Sequence, residues 1–142
     1  MDYKKHSLVI ALLALSLLGG CAALASKERA IELHRSIERY VTALRWGRYE
    51  QALSFVRQRD GKPHQSHLVV PETVRVASYD IGHVDLSENA KDARLMVTFD
   101  FYQTHHARLT TRTDVQTWWY DDERKQWFLD GALPDFLVAP AL

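Results

Sequence analysis

The sequence predicts an α+β fold in which N-terminal helices pack on a curved antiparallel β-sheet. Two observations predict this class. Apolar residues recur at steps of three and four between residues 26 and 46, which is typical of an amphipathic helix. From Val69 onward, apolar and polar residues alternate in runs separated by turn-forming residues, which is typical of strands. Helices followed by strands, rather than alternating with them, indicate the α+β class.

The first helix is predicted from Ser26 to Trp46. Ser26 is a suitable N-cap residue, and Gly47 is a suitable stop because glycine tolerates the left-handed conformation that often ends a helix. A second helix is predicted over Arg48–Gln58, before a loop at residues 60–63 that contains glycine and proline. The face of the first helix that is expected to turn inward consists of Ile31, His34, Ile37, Tyr40, Val41 and Leu44.

The strand pairing is predicted from the alternation of apolar residues. A loop over residues 103–107 would bring the strands at about residues 94–102 and 108–120 together with one shared apolar face. A turn over residues 121–125 would pair Trp119 with Trp127 and Thr117 with Leu129. The inward pairs expected between the strands at about residues 94–102 and 108–120 are Phe101–Leu109, Phe99–Thr111, Val97–Thr113 and Leu95–Val115.

The preceding strand requires an irregularity. In a regular strand Ile81 would turn to the face opposite that of Val84, because side chains alternate between faces. One extra residue near Gly82 and His83 corrects this, so we predict a β-bulge there, which would bend the sheet. The expected pairs are then Val84–Leu95, Ile81–Val97 and Tyr79–Phe99.

Composition narrows the classes of function. The chain of 142 residues carries 18 Lys or Arg and 18 Asp or Glu, and this balance argues against nucleic-acid binding, which needs a basic surface. The single cysteine, Cys21, excludes an internal disulfide. The length suits one domain, and no repeat or linker divides it.

The first twenty residues have the features of a secretory signal. Lys4 and Lys5 precede an apolar run over residues 8–18, and small residues follow. The run Leu18-Gly19-Gly20-Cys21 resembles the lipobox of bacterial lipoproteins. The resemblance implies cleavage between Gly20 and Cys21, a diacylglycerol on the Cys21 sulfur and an acyl chain on its amine. Two alternatives stay open: cleavage after Ala25, which would release a soluble protein, and retention of the uncleaved segment as an anchor.

The predicted organisation is therefore a signal peptide over residues 1–20, a lipidated tether over residues 21–25 and one α+β domain over residues 26–142. Ala22 stands where an aspartate would retain such a lipoprotein in the inner membrane, so the resemblance implies the outer membrane, facing the periplasm, of a Gram-negative cell. In another bacterium it implies the extracytoplasmic face of the cell membrane. An extended tether would reach on the order of 15 Å.

The domain resembles the nuclear transport factor two-like superfamily, also described as cystatin-like cone or SnoaL-like. The resemblance is carried by the helix Tyr40–Leu44, the junction Gly47–Leu53 and the closing strand Trp127–Gly131. It implies a cone-shaped sheet, and enzymes of that superfamily place an Asp–His or Tyr–Asp pair inside the cone. The predicted inward face carries no carboxylate, because Asp100 and Asp114 are expected to face outward.

Acid–base groups on the predicted inner side are Tyr79 and His83, and with Phe99 and Thr113 they would line the interior pocket. The histidines at positions 64, 67, 105 and 106 lack the Cys or carboxylate neighbours of a typical zinc site, so no metal is predicted. No cofactor is expected apart from the lipid on Cys21. Aromatic and apolar side chains expected on the outer face form the predicted interface, which comprises Trp118, Tyr120, Phe128, Met96 and Tyr102.

These observations favour a non-enzymatic lipoprotein that binds a protein partner, or a second copy of itself, close to the bilayer. The first alternative is a carrier or sensor of a small apolar ligand in the cone. The second alternative is an enzyme that uses Tyr79 and His83.

Overall fold

A long helix and a four-stranded antiparallel sheet form the described part of the protein. The computed structural model describes residues 3–61 and 73–137, with side chains from residue 20 onward except that of Ala107. The strand order is β1-β2-β3-β4, so each strand pairs with its neighbour in sequence, and the α+β class is confirmed. The elements are α1 (Tyr3–Arg45), α2 (Tyr49–Leu53), β1 (Val74–Leu86), β2 (Asp92–Gln103), β3 (His106–Asp121), β4 (Gln126–Leu129) and a 3₁₀ turn, Asp135–Leu137.

Helix α1 does not begin at Ser26, where the sequence predicted an N-cap. It continues through this position, and the Ser26 hydroxyl donates instead to the carbonyl of Ala22, 3.1 Å away and one turn earlier. Residues 22–25 are therefore helical, and they span about 6 Å at 1.5 Å per residue rather than the extended length expected of a tether. Within the part of the chain whose side chains are described, no helix is both long and apolar enough to cross a membrane.

The other end of α1 is fixed by Gly47, as predicted. Gly47 adopts a left-handed conformation with φ of 66°. Its N–H donates to the Leu44 carbonyl at 3.1 Å, and the Arg48 N–H donates to the Ala43 carbonyl at 2.8 Å. This pair of bonds is a Schellman motif, which satisfies carbonyls that the helix end leaves open.

Helix α2 is shorter than the predicted Arg48–Gln58 helix because strand β4 takes the backbone that would continue it. The Leu129 N–H donates to the Phe55 carbonyl at 2.8 Å, and the Arg57 N–H donates to the Leu129 carbonyl at 3.0 Å. Val56 thereby forms a parallel bridge with Leu129. Tertiary pairing has replaced the local helical bonds that the sequence pattern favoured.

The hydrophobic core lies between α1 and one face of the sheet. Of the α1 face predicted to turn inward, Ile37, Tyr40, Val41 and Leu44 are buried, whereas Ile31 and His34 are exposed. The sheet buries alternate residues of β2, as predicted for Leu95, Val97, Phe99 and Phe101. The same core also contains residues of β3, β4 and the C-terminal segment: Trp118, Trp127, Leu129, Leu133 and Leu137.

The register between β1 and β2 is the predicted one. Val84 pairs with Leu95, Ile81 with Val97 and Tyr79 with Phe99, and the bulge lies between Ile81 and Val84. Gly82 suits this position, because a Cβ there would lie 3.2 Å from the Met96 carbonyl oxygen. A second bulge, between Val76 and Ser78, was not predicted.

The register between β2 and β3 differs from the prediction by one residue. Phe101 pairs with Thr110 rather than Leu109, and Val97 pairs with Asp114 rather than Thr113. The hairpin closes on Gln103 and His106, with a bulge beside the turn, instead of through the predicted five-residue loop. A shift of one residue exchanges the two faces of a strand, so every side chain of β3 points to the face opposite the predicted one.

The shift continues into the pairing of β3 with β4. Tyr120, not Trp119, pairs with Trp127, and Trp118, not Thr117, pairs with Leu129. The register that forms buries the Trp118 indole fully, where it contacts the rings of Tyr40 and Phe55. The predicted register would have left this indole on the outer face.

The C-terminal segment covers the inner face of the sheet. Phe136 stacks on Phe101, with ring centroids 4.3 Å apart and an interplanar angle of 8°, and it also contacts Phe99 at 5.5 Å. Leu133 and Leu137 are buried in the same core. The segment thus adds to the layer that α1 forms on this face.

Candidate functional site

The four residues of the predicted interior pocket do not line a common cavity. Phe99 is fully buried in the core, whereas Thr113 is exposed on the outer face, where its hydroxyl lies 3.3 Å from that of Thr98. The Tyr79 ring packs against the core, but His83 is exposed and lies 3.3 Å from Asp85. The one-residue change of register moved Thr113, and the bulge carries His83 away from the core.

Tyr79 uses its hydroxyl at the surface of α1. The hydroxyl lies 3.3 Å from the Thr42 hydroxyl and donates to Glu38 at 3.3 Å. These contacts give Tyr79 a structural role between β1 and α1. His83 does not contribute to this arrangement, so the geometry provides no paired Tyr79 and His83 acid–base site.

The inner face of the sheet carries a carboxylate that was predicted on the outer face. Asp114 lies on this face, and the Gln116 amide donates to its Oδ2 at 2.9 Å. The Trp118 indole N–H in turn donates to Gln116 Oε1 at 3.0 Å. Burial raises the pKa of Asp114, the bond from Gln116 opposes this, and the charge of Asp135 raises it further. The chain of bonds anchors a partly buried acid on β3.

Tyr40 lies near this acid. Its ring makes edge contacts with Trp118 at 5.6 Å and Phe55 at 6.4 Å, and its hydroxyl is buried without a hydrogen-bond partner among the described residues. Burial, and then the charge of Asp114, raise the pKa of Tyr40 well above its usual range. A hydroxyl with so high a pKa stays protonated at neutral pH, and it could then donate or accept a hydrogen bond.

The predicted outer interface is divided between the two faces. Trp118 and Tyr120 face inward, which corrects their predicted orientation: Trp118 is fully buried, and Tyr120 contacts Trp127 at 5.6 Å. Phe128 pairs with Trp119 on the outer side but is buried, because Trp119 and the Arg57 guanidinium, 5.3 Å from the Phe128 ring, cover it.

Met96 and Tyr102 remain on the outer face, as predicted. Met96 pairs with Val115 and Tyr102 with Leu109, and the two β3 residues are exposed because of the changed register. Thr98, Thr113 and Thr111 separate the two apolar pairs, with the Thr111 hydroxyl donating to Asp100 at 2.6 Å. The outer face therefore presents two small apolar pairs within a polar surface.

The end of the domain nearest Cys21 along α1, the proximal end, comprises Arg29 and the turns at residues 87–91 and 121–125. Arg29 donates to the carbonyls of Ala90 at 3.1 Å and Asn89 at 2.8 Å, and its guanidinium lies 5.7 Å from the Tyr120 ring. Arg29 follows Cys21 by eight residues of continuous helix, about 12 Å.

Ion pairs close the turns of the proximal end. Lys91 pairs with Asp122 at 2.6 Å, and Arg124 pairs with Asp121 at 2.8 Å. The Asp121 carboxylate also accepts the backbone N–H groups of Glu123 and Arg124. These bonds lower the pKa values of Asp121 and Asp122, so both acids are ionised at neutral pH.

The opposite end carries a different surface. A cavity of about 620 Å³ lies where the end of α1 meets β1, and its side-chain walls are aromatic or cationic apart from Val76. The Arg45 guanidinium lies 5.9 Å from the Trp46 ring, and the Tyr49 hydroxyl donates to the Val74 carbonyl at 3.4 Å. We call this the distal surface and define it as Arg45, Trp46, Tyr49, Arg75 and Tyr102.

Tyr102 is the residue of the distal surface that the sequence analysis also names, and Trp46 is the most exposed of those that it does not. Trp46 was assigned only as the last residue of a helix, although its position beside Arg45 and before Gly47 is a usable signal. Gly47 ends the helix, so an aromatic side chain at the preceding position is not required for that purpose. Among the large apolar side chains that are described as exposed, Trp46 has the highest exposed fraction, 69%.

The predicted lipidation residue, Cys21, is exposed on α1 as a free thiol. Among the described residues, no three His, Cys, Asp or Glu side chains converge as metal ligands would. His64 and His67 lie outside the described residues. Comparison with protein-family models, with curated proteins and with solved structures gives no match for this chain.

Proposed function

We propose that the protein is a bacterial lipoprotein that holds a small α+β binding domain close to the extracytoplasmic face of a membrane, and that it acts without catalysis. The observation that carries this proposal is the position of Cys21. It is the only cysteine of the chain, it is exposed, and it lies eight positions before Arg29 on the same helix, the side chain that holds α1 to the proximal end.

Lipid attachment at Cys21 would be energetically sufficient as an anchor. Two or more acyl chains anchor a protein stably at ~0.8 kcal/mol per buried CH₂, whereas one chain does so marginally. A helical connection also limits the reach of the domain more than an extended one. The domain would then act within a few tens of ångströms of the bilayer, at the outer membrane if the cell has one.

Radiolabelled palmitate, supplied to bacteria expressing the full chain, tests the anchor. We expect the label and a detergent-phase partition, and we expect Cys21→Ser to lose both. Ser26→Ala, five residues further along the same helix, is the matched control and should keep both. A mature protein whose mass corresponds to a start at Ser26 would instead establish cleavage after Ala25 and remove the anchor from the proposal.

Binding rather than catalysis is supported by the arrangement of polar groups. Tyr79 and His83 do not form a pair, and the Asp114 carboxylate accepts a hydrogen bond from Gln116. The exposed apolar pairs Met96–Val115 and Tyr102–Leu109 offer contacts to a partner or to a second copy. The conical, nuclear transport factor two-like form of the sheet is part of the proposal, and the two bulges of β1 support it.

Met96→Glu combined with Val115→Lys tests the outer face. If this face binds the partner or a second copy, the double variant should lose the complex recovered from native membranes, or change from dimer to monomer in detergent. Thr98→Glu combined with Thr113→Lys, on the same face but between the apolar pairs, is the comparison. Equal complexes and equal oligomeric states for wild type and both variants would exclude this face.

A second candidate function, the binding of a small apolar ligand, has one observation in its favour: the buried hydroxyl of Tyr40, which has no hydrogen-bond partner in the described part of the chain. Trp118 and Trp127, both fully buried, occupy the space that such a ligand would need. Titration with N-phenyl-1-naphthylamine tests this candidate. Saturable binding that Tyr40→Phe weakens would support it, and the absence of binding would remove it.

A further inference from the structure

Strand β3 is paired along one side but only near its end on the other. Strand β2 pairs with β3 in one unbroken register from Leu109 to Trp119. On the other side, β4 pairs with residues 118–121, and the Asp130 N–H donates to the Thr117 carbonyl at 2.8 Å. Among the described residues, no strand pairs with this side of β3 before Thr117. We call this side of residues 108–116 the free edge.

The open backbone groups of the free edge are identified by alternation. In a strand, the N–H and C=O of one residue point to the same side, and those of the next residue point to the opposite side. The Thr117 carbonyl points away from β2, because it accepts from Asp130. The same direction is therefore taken by the backbone groups of Leu109, Thr111, Thr113 and Val115. In the described part of the chain, nothing bonds to these groups.

The free edge has the features of a strand to which another strand can be added. It contains no Pro and no Lys, the residues that commonly protect an edge from pairing. Its register with β2 shows no bulge from Leu109 onward, so the open donors and acceptors follow one another regularly. Strand addition obtains its affinity from such backbone bonds and its specificity from the side chains beside them.

The charged side chains of the free edge are complementary to each other. Arg108 lines a cavity with the inward-facing Phe101 and Thr110, and Arg112 lies on the same inner side. Neither arginine has a hydrogen-bond or ion-pair partner among the described residues. Asp114, also on this side, accepts one bond, from Gln116 at 2.9 Å, and no described cation pairs with it. A second copy of the edge therefore supplies the charge that each of these groups lacks.

One antiparallel register joins these groups. When two copies are related by a two-fold axis through Thr111, Leu109 of each copy lies opposite Thr113 of the other. Arg108 of each copy then lies opposite Asp114 of the other, so the pair of opposite charges forms twice. Each pair of edge residues that exchanges both backbone groups contributes two bonds, which gives about six in all.

Like charges oppose the two adjacent registers. An axis at Thr110 places Arg108 of each copy opposite Arg112 of the other, and an axis at Arg112 places this residue opposite itself. Like charges that lie directly opposite each other destabilise a pair of strands. The arginines of the edge therefore act against these registers as well as for the first one.

Backbone pairing that is already present excludes the next register. An axis at Thr113 would bring Leu109 of the second copy opposite Thr117. The Thr117 carbonyl is not open, because it accepts the Asp130 N–H where the chain leaves β4. The axis at Thr111 avoids this overlap.

We propose that the protein forms a dimer in which the free edges of two copies pair antiparallel around Thr111, with Arg108 of each copy on Asp114 of the other. The joined sheet has twice the four strands of one copy, and both α1 helices lie on the same side of it, because the axis is perpendicular to the sheet. This dimer goes beyond the proposed binding at the outer face. It does not depend on lipidation, since residues of β3 alone form the contact.

Cysteine cross-linking of the full chain in its native membrane tests the register. Thr111→Cys places two thiols at the axis, with the Cα atoms about 5.5 Å apart, a separation that a disulfide spans. Thr113→Cys, two positions along the same edge, is the matched control, because its Cα atoms would lie more than about 10 Å apart. We expect mild oxidation to yield at least ten times more dimer for Thr111→Cys. The wild type, whose only cysteine is Cys21, gives the baseline.

Sedimentation in detergent tests the contacts. Arg108→Asp should weaken the dimer at least tenfold, whereas Arg112→Asp, with the same change in net charge, should keep at least half of the affinity. Thr111→Pro should also weaken the dimer at least tenfold, because it removes an N–H that faces the second copy. Its circular dichroism spectrum should stay that of wild type, since this N–H makes no bond to β2. Met96→Glu, on the outer face of β2, should leave the dimer unchanged.

Four results would overturn the proposal: a wild type that sediments as a monomer at every concentration, Thr113→Cys cross-linking as well as Thr111→Cys, equal losses for Arg108→Asp and Arg112→Asp, or a dimer that Met96→Glu disrupts and Thr111→Pro does not. The last result would assign the second copy to the outer face. Loss of palmitate labelling with cross-linking at Thr111→Cys intact would instead refute the anchor and leave the free edge assigned.

Discussion

The two ends of the domain differ in whether their arginine and tryptophan side chains are bonded within the fold or exposed. At the proximal end, Arg29 donates to two backbone carbonyls, and Trp127 is fully buried with its N–H bonded to the Arg29 carbonyl. At the distal end, Arg45 stacks on Trp46, and both side chains are exposed. The same residue types therefore hold the structure together at one end and remain available for contacts at the other.

This difference follows from what each end has to join. The proximal end connects α1 to two hairpin turns, whose carbonyls and carboxylates need donors. At the distal end the Schellman motif satisfies carbonyls of α1, so neither Arg45 nor Trp46 is needed as a donor there. Substitutions at the proximal end should lower stability, and equivalent substitutions at the distal end should leave it unchanged.

The largest difference in the free energy of unfolding is expected between substitutions of Trp127 and of Trp46. Trp127→Ala should lower the free energy of unfolding by about 3–5 kcal/mol, because it removes a buried ring and a satisfied donor. Trp46→Ala should change it by no more than about 0.5 kcal/mol, as expected for an exposed side chain. Urea denaturation monitored by circular dichroism measures both. Similar losses for the two variants would mean that Trp46 is part of the core.

A smaller difference is expected between the two arginines. Arg29→Ala removes two bonds to carbonyls and a contact with the Tyr120 ring, and it should cost about 1–3 kcal/mol. Arg45→Ala should cost no more than about 0.5 kcal/mol. The same denaturation experiment applies, and a stability cost for Arg45→Ala equal to that for Arg29→Ala would contradict the division of roles.

The smallest effect concerns Asp114, which lies between the two ends. Because its pKa is raised in the folded state, its contribution to stability is complete below its usual pKa and is lost as the pH rises through the raised value. The free energy of unfolding of Asp114→Asn should therefore rise relative to that of wild type between acidic and neutral pH, by on the order of 0.5 kcal/mol. The pKa values of Asp121 and Asp122 are lowered, so their contribution to stability is lost on acidification. This loss is the same in wild type and in Asp114→Asn. A stability difference that does not vary with pH would place Asp114 in solvent.

The two sheet registers show how far the sequence could predict this fold. For β1 and β2, the apolar residues on both strands leave one consistent solution, and Gly82 marks the bulge that this solution requires. For β3, both faces carry apolar residues: Leu109 and Val115 on one, Trp118 and Tyr120 on the other. Each face also carries one tryptophan, Trp119 on the first and Trp118 on the second, so the pattern alone does not select a face. The contacts of Trp118 with Tyr40 and Phe55 decide for the second.

The predicted site residues followed from that register. The prediction of an inner face without a carboxylate was wrong because Asp114 turned inward together with Trp118. Trp118 and Tyr120, which were predicted for the outer interface, face the core because of the same one-residue change of register. Met96 and Tyr102 kept their predicted face because the register of β2 relative to β1 was correct.

The sequence by itself determined the α+β class, the order of the elements, the stop at Gly47 and the bulge in β1, because each depends on local periodicity or on one residue with special backbone freedom. It also supplied the signal-like segment and Cys21. The tertiary structure alone decided the face of β3, the length of α2 and the exposure of Trp46. These depend on which residues meet across the fold, since a strand of period two has two possible faces and only packing against α1 and β4 selects one.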